Sequence, residues 1–82
     1  NNFPNPFNSR TVIKYEIPKV SDIHIEIINL KGQVIEEYDQ HNTKPGIYDY
    51  IWNAGNVSSG IYYYRFYLDG EAVHQQKMIF IK

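Results

Sequence analysis

The side chains of this 82-residue chain that could do chemistry are three histidines, nine carboxylates and the adjacent hydroxyls of Ser58 and Ser59. A zinc site needs three or four convergent ligands. His24, His41 and His74 show no spacing that puts two of them on one strand face or one helix turn, so they read as surface or loop residues. Glu36 and Glu37 are neighbours in a segment of strand character and so point to opposite faces, which defeats a paired-carboxylate mechanism. They read as a solvated edge. Ser58-Ser59-Gly60 lacks the flanking glycines and strand-turn-helix context of a serine nucleophile and reads as a turn. Asn56-Val57-Ser58 fits the N-glycosylation sequon, a three-residue match that arises often by chance and carries little weight. No cofactor motif is present, and the expectation is a non-catalytic chain.

One row of side chains invites a binding hypothesis. Ile61, Tyr63 and Tyr67 fall on one face of a tyrosine-rich segment, and exposed aromatics can stack on sugar rings or anchor a protein. An accessory module for carbohydrate or protein is therefore an alternative function. The competing reading is cross-strand packing with outward Ile28, Ile51 or Ile79.

Composition narrows the field. The length fits one domain that buries roughly 60–65% of its unfolded surface. A net charge of −1 supplies no field for nucleic acid or an anionic membrane. The absence of cysteine removes disulfides and thiolate metal sites. No run approaches the ~18 apolar residues of a membrane span, and the polar start Asn1-Asn2-Phe3-Pro4 lacks the regions of a signal peptide. With no initiator Met, the chain reads as a piece of a longer one.

The elements follow from period-two alternation. Phe3-Pro4-Asn5-Pro6-Phe7-Asn8 is a stiff strap, because proline fixes φ and keeps the preceding residue extended. From Thr11 to Pro18, Ile13, Tyr15 and Ile17 share the inner face. From Asp22 to Asn29, Ile23, Ile25 and Ile27 do so, with Ile28 as the exception. Leu30-Lys31-Gly32-Gln33 turns the chain. Val34 to Asp39 is mixed, Val34 and Tyr38 sharing a face with Glu36 against Ile35, as a bulge or an edge position would produce. Gln40 to Lys44 reads as polar loop, and Pro45-Gly46 as a type II turn. Tyr48, Tyr50 and Trp52 point inward because Asp49 takes the opposite face. Arg65 sets the next strand, with Tyr62, Tyr64, Phe66 and Leu68 inward. Asp69-Gly70 is a type I′ hairpin signal, and its partner strand runs from about Ala72 to Ile81 with Met78 and Phe80 inward. No window has helical spacing. About seven short strands predict an all-β, Ig-like antiparallel β-sandwich, with a barrel as second choice.

The order of these features resembles a known family. The strap, Tyr15-Glu16-Ile17-Pro18, Gly32, Pro45-Gly46-Ile47-Tyr48 through Trp52-Asn53, Ser58-Ser59-Gly60-Ile61-Tyr62-Tyr63-Tyr64-Arg65 and the terminal Lys77-Met78 are similar to the C-terminal sorting domain of type IX secretion cargo, with the Ig-like domain of flagellar hook-capping proteins as a relative. The resemblance implies a small Ig-like sandwich at the C-terminus of exported bacterial proteins. It implies reading in the periplasm by an outer-membrane translocon and, in many members, removal by a sortase-like surface protease, leaving the cargo at the cell surface or outside the cell. The end at Lys82, just after the last strand, fits a terminal signal. Candidate recognition residues are then Pro4, Asn5, Pro6 and Phe7 in a strap over residues 1–9, and Asn53, Ser58, Ser59, Gly60, Tyr63, Arg65, Lys77 and Lys82 in a sorting domain over residues 10–82. Asn53 stands where Asp is common in the family, and Gln75-Gln76 where basic residues are usual.

Overall fold

The computed structural model describes residues 10–54 and 57–80. The strap, with Pro4, Asn5, Pro6 and Phe7, lies outside these residues, as does Lys82. Six strands follow one another: β1 (Arg10–Ile17), β2 (Ser21–Asn29), β3 (Val34–Thr43), β4 (Gly46–Asn53), β5 (Gly60–Leu68) and β6 (Glu71–Phe80). They form two antiparallel sheets, a two-stranded β1-β4 and a four-stranded β3-β2-β5-β6. The all-β sandwich expected from alternation is what the chain adopts, with six strands where about seven were expected.

Burial follows the period of two. Ile13, Tyr15 and Ile17 of β1 are buried, and so are Ile23, Ile25 and Ile27 of β2. Trp52 of β4 is 2% exposed and joins Ile13, Ile27, Ala54, Tyr62 and Phe80 in one core cluster. Tyr15, Ile17, Ile23, Ile25 and Phe66 form a second cluster, and Tyr50 packs against both. The aromatic rings meet at an angle or offset, Trp52 edge-on to Tyr62 with centroids 5.3 Å apart and Tyr15 tilted on Phe66 at 5.2 Å. These are the arrangements that ring quadrupoles favour.

The Asp69-Gly70 hairpin forms as its residues require, with φ of 50° and 85°. Three readings are corrected. Gln40 to Thr43 is strand, since β3 runs to Thr43. The register slips between Ser21↔Thr43 and Ile23↔Gln40, and this bulge turns Thr43 inward to 1% exposure. Its hydroxyl donates to the Gln40 carbonyl at 3.2 Å, so polarity there marks a satisfied bulge and not a loop. Pro45-Gly46 is no type II turn, because Gly46 has φ of 152° where such a turn needs about +80°. β3 and β4 belong to different sheets, and the segment between them is an extended crossover. Finally, Val34 does not share a face with Glu36. A second slip pairs Ile27 with Glu36 but Ile28 with Val34, which leaves Ile35 as the extra residue and puts Val34 on the outer face.

Candidate recognition surface

Backbone register gathers several candidate residues at one end of the sandwich. Arg10 pairs with Asn53 where β4 runs into the loop toward Gly60; Gly60 pairs with Phe80, and Asn29, just before the β2–β3 turn, pairs with Tyr62. Between that turn and the loop lies a cleft of about 400 Å³, lined by Asn29, Leu30, Lys31 and Gln33 on one side and by Ser58 to Tyr62 on the other. Both walls are held by hydrogen bonds. Asn29 Oδ1 accepts from the backbone amides of Lys31 and Gln33 at 3.0 and 2.9 Å, an Asx-type turn, while Tyr62 donates its hydroxyl to the Ser58 carbonyl at 2.6 Å. Ser58, Ser59 and Gly60 are exposed.

The outer face of the four-stranded sheet divides in two. Near the cleft it is apolar: Val34, Ile28 and Tyr63 are neighbours across β3, β2 and β5, and Ile61 faces Ile79. Lys77 pairs with Tyr63 at the border of this patch. One step along the strands it becomes polar. Glu26 pairs with Glu37 on one side and Arg65 on the other, and His24 pairs with Asp39 and Tyr67. His24 Nδ1 lies 2.7 Å from Asp39 and Nε2 3.1 Å from Glu26, so both ring nitrogens face carboxylates. Burial pulls the His24 pKa down, but the hydrogen bonds and charges of Glu26 and Asp39 outweigh it, and the net shift is upward. The guanidinium of Arg65 reaches Gln75 at 3.1 Å, the Tyr67 hydroxyl at 3.1 Å and Glu26 at 3.5 Å.

The candidates are thus split. Ser58, Ser59, Gly60, Tyr63 and Lys77 belong to the apolar, cleft-bearing end. Arg65 is tied into the polar network, and Asn53 ends β4 on the other sheet. The three histidines stand apart: His24 on the outer face, His41 beside Asp22 at the far bulge, and His74 against Tyr64 on the opposite face of β6. Spacing along the sequence missed that strand pairing brings ligands of different strands together. His24, Glu37 and Asp39 offer atoms within 4.8 Å of one another, the spacing a metal ion could use, although both His24 nitrogens already hold carboxylates. The signal was a His and an acid facing outward on successive strands.

The tyrosine row does not make a sugar platform. Tyr67 lies tilted against His24 with ring centroids 5.2 Å apart and bonds Glu26, and Tyr63 sits half-buried beside Ile28. Packing accounts for the row, Tyr63 lying against Ile28, Ile61 against Ile79, and Tyr67 against His24. Ile51 is not a partner, because it lies on the two-stranded sheet.

The fold and this surface define a small β-sandwich that presents a shaped end instead of a pocket of reactive groups. The chain matches the family described as the secretion system C-terminal sorting domain over residues 1–82, and it belongs to that family. No curated protein and no solved structure matches it. The domain is a C-terminal sorting signal of type IX secretion, from a family of non-catalytic signals, and such a signal implies export to the cell surface or the extracellular space.

Proposed function

We propose that an outer-membrane translocon reads this domain, folded, in the periplasm, and that it carries an upstream cargo domain which sortase-like machinery then releases or attaches at the surface. The strap over residues 1–9 is the link to that cargo, and residues 10–82 are the folded signal. The reading surface is the end of the sandwich holding Ser58, Ser59, Gly60, Tyr63 and Lys77, with Pro4, Asn5, Pro6, Phe7, Asn53, Arg65 and Lys82 as further candidates. One observation carries the proposal: residues far apart in a full-length family match lie together around one cleft. Fusing residues 1–82 behind a periplasmic reporter, in a host with this secretion system, tests it. Export of the reporter is expected, and a reporter retained in the periplasm counts against the reading.

A further inference from the structure

The outer face is polarised in a way that sorting as such does not require. Leu30 is 68% exposed and lines the cleft with Ile61, and Ile79, which pairs with Ile61, is 67% exposed, against 38–54% for the exposed Val34, Ile35 and Val73 of this sheet. Contiguous exposed apolar surface on a small domain marks a place where something binds. Lys31 lines the cleft and Lys77 borders the apolar pair, and neither has an ion-pair partner among the described residues. The outer-face carboxylates Asp22, Glu26, Glu37 and Asp39 all lie on the other half, engaged by His41, His24 or Arg65. Among the described residues, the half beside the cleft therefore carries positive charge and no outward acid.

Resting on the sorting reading above, we propose that this end, made by Leu30, Ile61, Tyr63 and Ile79 with Lys31 and Lys77, docks an apolar segment bearing carboxylates from the secretion machinery. The apolar side chains of the partner cover Leu30 and Ile79, and its carboxylates meet the two ammonium groups. Complementary charge would fix the register and speed the encounter, while the apolar contact supplies most of the affinity. The same logic disfavours basic partners, which the lysines repel. A second copy of this chain could offer its acidic half instead, and the test separates that case.

The test uses the full-length cargo in secreting cells, with a photo-crosslinking residue placed singly at Leu30, at Ile79, and at Val12 or Ile47 as controls on the two-stranded sheet, where these side chains are 56% and 68% exposed. Crosslinks from Leu30 and Ile79, but not from the controls, to a peptide of an outer-membrane protein that combines apolar residues with Asp or Glu are expected. In parallel, Lys31→Glu with Lys77→Glu should lower export at least tenfold, Lys31→Arg with Lys77→Arg should retain it, and circular dichroism should show both variants folded. Crosslinks only to a second copy of the chain, crosslinks from the controls alone, or no crosslink at Leu30 and Ile79 overturn the proposal. So does undiminished export of the double glutamate variant. Failure of the unsubstituted domain to direct export would instead remove the sorting reading itself.

Discussion

Tyr62 donates its hydroxyl to the carbonyl oxygen of Ser58 at 2.6 Å while its ring is buried against Trp52 and Phe80. One side chain thus fixes the loop of the cleft to the core. Tyr62→Phe keeps the ring and removes the donor. The expected cost is about 1 kcal/mol, the net worth of a typical hydrogen bond, which lowers the melting temperature by roughly 4–8 °C in a domain this small. Hydrogen exchange should accelerate at the amides of residues 57–60 more than in β2. Equal acceleration in both places would show that the bond supports the core and not the loop.

Trp52 is the largest fully buried side chain and contacts rings from β5 and β6. Trp52→Ala should cost roughly 3–5 kcal/mol, against a total of about 5–15 kcal/mol for a domain. Trp52→Phe should lose clearly less, since a ring remains to face Tyr62. Urea unfolding followed by circular dichroism measures both, and an alanine variant within about 1 kcal/mol of the parent would contradict the central place given to Trp52.

Why some of the molecule was legible in the sequence is clear from particular residues. Asp49 and Arg65 sit outside among apolar neighbours and so fix the facing of β4 and β5, which places Tyr50, Trp52, Tyr62 and Phe66 inside. Alternation has no such power over β3. Two register slips in ten residues break its period, and Thr43 is buried through a hydroxyl that finds a carbonyl, which no polarity pattern encodes. The family pattern singles out as candidates Ser58 to Gly60, which line the cleft, and Lys77, which pairs with Tyr63. It gave no reason to name Leu30 and Lys31, because the opposite wall of the cleft comes from a turn about thirty residues away, brought alongside by the β2–β5 pairing that ends at Asn29↔Tyr62. His24 looked like a lone surface histidine for the same reason, its partners Glu37 and Asp39 being on the neighbouring strand.

The His24 cluster predicts a pH dependence. Glu26 on its own strand and Glu37 and Asp39 on β3 favour the imidazolium, whereas Arg65 on β5 opposes it and the Tyr67 ring lies tilted against it. The folded-state pKa is raised above the ordinary 6.5. The stabilisation is therefore complete below about pH 6.5 and fades as the pH rises through the folded value. With the side chain 25% exposed, it should amount to less than about 1 kcal/mol. An NMR titration of His24 gives the sign directly, and His24→Gln should flatten stability between pH 6 and 8. A midpoint below 6.5 would reverse the assignment.

Gly70 takes φ of 85° in the β5–β6 hairpin, and the Asp69 carboxylate accepts from the Asp22 amide at 2.9 Å while the Asp69 amide donates to the Asp22 carbonyl at 2.8 Å. The turn is thus tied to the start of β2 as well as to its own strands. Nothing crowds a Cβ at Gly70, so Gly70→Ala meets only backbone strain and should cost about 1–2 kcal/mol. Because the hairpin is remote from the cleft, the variant should unfold at lower urea yet keep the cleft amides' chemical shifts. Changes confined to residues 29–33 and 58–62 would refute that separation.

A last relation joins the two sheets through polar groups. Tyr50 of β4 donates its hydroxyl to the carboxylate of Glu36 on β3, and its ring lies against Tyr38 with centroids 5.1 Å apart. Burial first, and then the bond to Glu36, push the Tyr50 phenol well above its ordinary range, so it is a donor at neutral pH. Removing the donor alone by Tyr50→Phe leaves a half-buried carboxylate with one partner fewer, and should cost about 1.5–3 kcal/mol, the range for bonds to charged groups. Glu36→Gln keeps an acceptor and should cost less. If the pair acts through this bond, the double variant Tyr50→Phe with Glu36→Gln should be less destabilised than the sum of the two, a coupling that urea titrations of all four proteins resolve. Strict additivity would mean that the aromatic contact with Tyr38, and not the hydrogen bond, holds β3 against β4 at this edge.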